Sequence, residues 1–177
     1  HSHKLRSQVD AILIGRQIAI TDNPRLTVRR VKGPNPIRVI LDTNRVLALD
    51  LNIFNDESET IVVCSNKKFN KSRMQHCQYI VCDEDGEGKL DPSMILDLLG
   101  EMGVTSLLIE GGAKVVRSFV KQNLVDEVYL YTSRNKIIDG SLKTPIIIDD
   151  WDILDTLNLG DDSLKIARKK ELCLQGL

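Results

Sequence analysis

Residues 104–118, VTSLLIEGGAKVVRS, carry the residue types in this chain best suited to chemistry. Residues 104–109 form an apolar run rich in leucine and β-branched side chains, the composition of a buried strand. Glu110 breaks the run, and Gly111 and Gly112 follow at once. Val115, Val116, Phe119 and Val120 then recur at helical spacing over residues 113–122. A strand, a glycine pair and a helix in succession expose backbone N–H groups at a helix N-terminus. Those groups, with the helix dipole, favour a phosphate there. A glycine pair after a strand is also an ordinary tight turn, so the pattern alone does not decide. Glu110 adds weight, because a carboxylate at the mouth of a buried strand is costly unless it has a partner.

Other chemistries find no support. His1, His3 and His76 do not form a ligand cluster, and the four cysteines (Cys64, Cys77, Cys82, Cys173) contain no C-x-x-C pair. No Ser/His/Asp or Cys/His spacing suggests a covalent nucleophile. Cys64, Cys82 and Cys173 sit in or beside expected strands and read as reduced core residues of a cytosolic protein.

The elements that must hold this stretch can be read in order. Residues 1–8 read as the end of a helix. Residues 9–15, VDAILIG, read as a buried strand closed by glycine. Residues 16–30 read as a loop, with turn chemistry at Asp22-Asn23-Pro24. Strands are expected at 37–41, 60–64 and 78–82, and a short helix at 67–74. Asp91-Pro92 opens a helix, with Asp as N-cap and Pro at the first position. Met94, Ile95, Leu98 and Leu99 form its apolar stripe. Residues 126–132 read as a further strand, residues 145–148 as a short apolar piece, and 164–168 with 171–174 as a closing strand or hairpin. The sum is one α/β domain with a mostly parallel sheet and an antiparallel C-terminal edge.

The chain has 177 residues, 42% hydrophobic and 28% charged, enough for one sizeable core. A net charge of −1 gives no pull toward nucleic acid or an anionic membrane. Apolar runs reach about six residues, far short of the roughly 20 a bilayer span needs.

From Arg16 onward the order of motifs becomes specific. His3-Lys4-Leu5-Arg6, VDAILIG, TDNPRLTVR, PIRVILD, LLIEGG and LVDEVYLY follow one another. This series resembles the reductase domain of bacterial riboflavin biosynthesis, usually the C-terminal half of a bifunctional deaminase/reductase. The resemblance covers about residues 2–131. It implies a dihydrofolate-reductase-like fold, a mostly parallel sheet with helices on both faces. It also implies NADPH-dependent reduction of the ribosyl chain of 5-amino-6-(5-phosphoribosylamino)uracil to ribityl. Implied context is a cytoplasmic homodimer with a deaminase domain upstream, no nucleic acid, no membrane and no metal.

By the same resemblance Arg6, Leu26, Arg29 and Glu110 fall at substrate positions. A phosphosugar suits arginine, whose fork is permanently charged and bidentate. Ile18, Asp22 and Thr43 fall at cofactor positions. Gly111, Gly112, Ala113, Lys114, Val115, Val116, Arg117 and Ser118 match the cofactor-phosphate segment, where only near-absent side chains admit a pyrophosphate to the backbone. Ser65, Asn66 and Lys67 are weaker candidates for the 2′-phosphate, against a solvated turn. No residue is assigned as general acid.

The departures are definite. Ile18 stands where the family usually has Thr, so one cofactor hydrogen bond is expected to be missing. Asn23 replaces the second Asp of the D-D-P element and keeps the turn. Residues 133–140 replace the usual A-P-x-x-x-G-G. The zinc-deaminase pattern, H-x-E with P-C-x-x-C, occurs nowhere. The family's opening strand, T-x-K-x-A-x-S-x-D-G with its lysine, would lie before His1, so the chain is expected to be part of a longer one. Two rivals stand beside the main expectation. One is a non-catalytic dimerisation module. The other is a related reductase of the diaminopyrimidine or of dihydrofolate.

Overall fold

Five consecutive residues, Ala11–Gly15, are all buried, the pattern of a strand covered on both faces. This strand, β1, is followed by β2 (Ile37–Leu41), β3 (Thr60–Ser65), β4 (Gln78–Cys82) and β5 (Leu107–Ile109) in one five-stranded parallel sheet. Its order is β4-β3-β2-β1-β5, and every neighbouring pair is parallel. The structure is a computed structural model describing residues 1–68, 77–134 and 144–170. It divides into two compact units, His1–Val116 and Arg117–Leu177.

Within the first unit, α1 (Ser2–Arg6) precedes β1, α2 (Arg16–Asp22) follows it, and α3 (Pro92–Glu101) lies between β4 and β5. Helix α4 (Ala113–Lys121) follows β5. Side chains leave β1 alternately. Ile12 and Ile14 join Ala19 of α2, Leu26, Ile40 and Ile53 in one buried cluster. Gly15 faces the other way, where an added Cβ would lie 2.8 Å from Val115 Cγ2 of α4. Helices therefore cover both faces, as the resemblance implied. Asp91 caps α3 by accepting from the Ser93 N–H at 3.1 Å, with Pro92 inside the first turn.

A charged residue lies wholly inside. Arg38, in β2, is 0% exposed. Its guanidinium donates to the carbonyls of Arg25, Asn52, Asn55 and Ser58 and to Asn55 Oδ1. Burial lowers its pKa, opposed by the charge of Glu57. The loop before β3, with its 3-10 turn at Asn52–Phe54, is folded around this cation.

In the second unit, β6 (Glu127–Thr132), β7 (Trp151–Leu159) and β8 (Asp162–Lys169) form an antiparallel sheet of order β6-β8-β7. The expected antiparallel strands are present, in a sheet of their own.

Several local expectations need correction. Residues 16–22, read as loop, are helical. Two turns are too short to show a period, and Asn23, left-handed at φ 41°, ends them. Asn tolerates that conformation at little cost. Strand β7 was not foreseen. Asp152 and Asp155 are poor strand formers, and a bulge between Ile153 and Asp155 breaks the alternation. The closing hairpin is β7 with β8, turned at Gly160 (φ 68°). A 3-10 turn, Asn66–Lys68, begins the segment expected to be a helix. Residues 69–76, with His76, and 171–177, with Cys173, lie outside the described residues. Cys64 and Cys82 are buried free thiols, and burial pushes both up in pKa.

Candidate active site

Strand order sets where a ligand can lie. From β1 the chain builds outward to β2, β3 and β4, then returns to place β5 on the opposite side of β1. In open parallel sheets the crevice beyond the carboxyl ends of two such strands is the usual ligand position. Here those ends are Gly15 on β1 and Glu110-Gly111-Gly112 after β5.

Glu110 finds the partner its position demands. Arg6 of α1 grips it with both arms, Nε to Oε1 at 2.8 Å and Nη2 to Oε2 at 2.6 Å. The two side chains are 13% and 25% exposed. Arg6 Nη1 also donates to the Thr27 carbonyl at 3.3 Å. One side chain thus joins α1, the end of β5 and the segment after α2.

That segment is unusual. Leu26 is 2% exposed and left-handed, at φ 56°. A bulky residue there is a rare conformation, costing of order 1–3 kcal/mol unless its surroundings enforce it. Two contacts hold the flanking loops. Asn52 N–H donates to Asn23 Oδ1 at 2.8 Å, and Val28 N–H donates to Asn35 Oδ1 at 2.7 Å.

These pieces enclose a pocket of about 290 Å³. Arg6, Leu26 and Glu110 line it, as do Ile18, Asp22 and Gly111. Three of the expected substrate positions and three of the expected cofactor positions thus line one cavity. Ligand pockets span about 300–1,000 Å³, so this one suits a ring or a sugar, not a whole dinucleotide. Ile14 and Pro24 also line it, and sequence reasoning named neither. Ile14 was legible only as a strand residue.

The glycine turn borders it through Gly111. Gly111 and Gly112 have φ of 79° and 78°, where a side chain would be strained. Ala113 and Lys114 open α4, and the first amides of an α-helix have no partner within the helix itself. Ile18 lies against both glycines, within 3.8 Å of an ideal Cβ on either. It is packed apolar, alongside the buried cluster. Lys114 and Arg117 are exposed; Val115, Val116 and Ser118 are half-buried.

Other expected residues lie outside the pocket lining. Arg29 is exposed, and its backbone N–H donates to His3 Nδ1 at 3.2 Å. Thr43 is half-buried, and its carbonyl accepts from Ser65 N–H. Lys67 pairs with Glu84 at 2.8 Å, and Ser65 Oγ donates to the same carboxylate. The hydrogen bond to Glu84 raises the Lys67 pKa, and the same bond lowers that of Glu84.

Asp42, after β2, is an acid that the motif order does not single out. It is 1% exposed; its Oδ2 accepts from the Val46 and Leu47 N–H groups, and Arg16 Nη1 lies 3.9 Å from Oδ1. Its signal was the one that drew attention to Glu110, an acid closing a buried strand. Among the described residues no three His, Cys, Asp or Glu side chains are placed to hold a metal. No helix there is long and apolar enough to cross a membrane.

Residues 1–167 match the family described as the RibD C-terminal domain. The 2,5-diamino-6-ribosylamino-4(3H)-pyrimidinone 5′-phosphate reductase of Aquifex aeolicus is 33% identical over 148 residues, 82% of this chain and 65% of that protein. The protein of the same name from Archaeoglobus fulgidus is 32% identical over 156 residues, 82% of this chain and 70% of its own. The solved diaminohydroxyphosphoribosylaminopyrimidine deaminase/5-amino-6-(5-phosphoribosylamino)uracil reductase of Thermotoga maritima superposes with a TM-score of 0.77. It is 26% identical, with 95% of this chain and 47% of that one covered. The chain thus spans about two thirds of the reductase relatives and about half of the bifunctional one.

Proposed function

This chain belongs to the RibD C-terminal domain family, and on that premise we propose that it is the NADPH-dependent reductase domain of riboflavin biosynthesis. Its substrate would be 5-amino-6-(5-phosphoribosylamino)uracil, with the ribosyl chain reduced to ribityl. The observation that carries the reading is the single pocket shared by Arg6, Leu26 and Glu110 with Ile18, Asp22 and Gly111, drawn from separate elements at the strand-order reversal.

The residues fit a bound dinucleotide phosphate. Two left-handed glycines followed by helix-start amides form a cradle that a Cβ would strain. When bound, the nicotinamide supplies the hydride. Gly111, Gly112 and the Ala113–Ser118 turns would hold its phosphates, with Asp22 and Thr43 beside it. Ile18 would offer it an apolar wall in place of a hydroxyl.

Arg6 is committed to Glu110, so its part is to fix that carboxylate where the pyrimidine or sugar can donate to it. Arg29 is then the freer cation for the substrate phosphate, since its guanidinium engages no partner among the described residues. Holding the sugar against the cofactor supplies most of the acceleration a hydride transfer needs, by proximity and orientation. The domain would work in the cytosol as a homodimer, with a deaminase upstream as in the bifunctional relative.

Arg29→Ala tests the assignment. A large rise in KM for the phosphorylated substrate is expected, with cofactor binding nearly unchanged. Equal losses for both ligands would overturn it. A second reading has its own support, because the relatives above 30% identity named here carry the diaminopyrimidine name. Turnover of the deaminated and non-deaminated ribosylamino substrates, compared side by side, decides between them.

A further inference from the structure

We propose that His3 is a positioning residue, whose neutral imidazole holds the Arg29 backbone and so sets where the Arg29 guanidinium is presented. The inference rests on reading Arg29 as the ligand of the substrate phosphate.

His3 and Arg6 lie three residues apart on α1, hence on one helix face. Both reach the same short stretch of chain. Arg6 Nη1 donates to the Thr27 carbonyl, and two residues on the Arg29 N–H donates to His3 Nδ1. The helix therefore grips this segment at two points, through a carbonyl and an N–H two residues apart. The segment carries the left-handed Leu26 at its start and the exposed Arg29 at its end.

The two grips differ in kind. The guanidinium donor keeps its protons at every relevant pH. The imidazole accepts only while Nδ1 is unprotonated. The charged groups acting on His3 are Arg6 from its own helix and Arg29 and Arg30 from the loop, all cations. Desolvation and then these three charges hold its pKa below the ordinary imidazole value, against a backbone contact at Thr27 that raises it. At neutral pH the grip is closed. On acidification it opens, and the new imidazolium also repels Arg29. Substrate capture weakens, while the hydride-transfer geometry around Glu110 does not change.

The test uses the whole chain. Amide exchange at Arg29, expressed relative to intrinsic chemistry, should show protection near pH 8 that falls about tenfold near pH 5, the worth of one hydrogen bond. His3→Ala should lose that protection at both pH values. His3→Asn, which keeps a neutral acceptor, should retain it at both. With the phosphorylated ribosylaminopyrimidine as substrate, KM should follow the same pattern while kcat stays level. The proposal is overturned by an unprotected Arg29 amide in the parent chain. It is equally overturned by His3→Ala leaving protection or KM unmoved, or by His3→Asn behaving as His3→Ala. The amide readout needs neither cofactor nor substrate, so it separates failure of the grip from failure of the substrate reading, which Arg29→Ala addresses.

Discussion

The Arg6–Glu110 pair offers the sharpest energetic test. Two charge-assisted bonds of 2.8 and 2.6 Å join side chains 13% and 25% exposed. Fully exposed pairs are worth about 0.2–1 kcal/mol. Breaking a buried pair costs about 3–5 kcal/mol, because a charge is left without compensation. This pair lies between, nearer the buried limit for Arg6. Arg6→Met keeps the apolar stem and strands the carboxylate at the end of β5. Glu110→Gln keeps the shape and one acceptor but removes the charge and turns the second acceptor into a donor facing Arg6. Each should cost about 2 kcal/mol, and the double variant about 2.5, a coupling of about 1.5 kcal/mol. For a chain of this size each single variant should lower Tm by roughly 4–8 °C. Urea titration of the four proteins measures the cycle. Raising salt to about 1 M should remove less than half the coupling, since partly buried pairs are weakly screened. Simple additivity to within about 0.3 kcal/mol would refute the reasoning and reduce the pair to a surface contact.

Two further expectations concern the frame around the site. Gly15→Ala would push a methyl to 2.8 Å from Val115 Cγ2. Overpacking of that kind costs about 1–3 kcal/mol, measurable by thermal unfolding, and a stabilised variant would mean that α4 moves freely. Asp10 accepts four bonds from Thr105 and Ser106, whose hydroxyls and amides hold its carboxyl at about 2 against an ordinary 3.8. The folded pKa is depressed, so this contribution is complete above pH 3.8 and disappears as pH falls toward 2. Asp10→Asn should flatten the acid limb of stability in that window and leave the slope above it unchanged.

Much of the site was legible because buried strands make polar residues conspicuous. Glu110 closing β5 demanded a partner, and the motif order put Arg6 among the candidates, but not that the two would meet. That contact joins residues 104 apart in sequence, which no local pattern carries. The five parallel strands showed themselves as apolar runs. Helix α2 and strand β7 did not, the first because two turns leave no period, the second because a bulge and two aspartates erase alternation. His3 could be seen only as part of a motif. Its acceptor role depends on a loop conformation set by Asn23, Leu26 and Asn35.

Arg38 sits in its cavity much as a potassium ion sits in an ionophore. Four of its five acceptors are main-chain oxygens, and Asn55 alone contributes a side-chain atom. Main-chain oxygens are the same whatever residue bears them. Among homologous chains the loop before β3 is thus free to change its side chains while still solvating the buried cation, except at Asn55. Its length, which decides whether the carbonyls reach inward, is the property it has to keep.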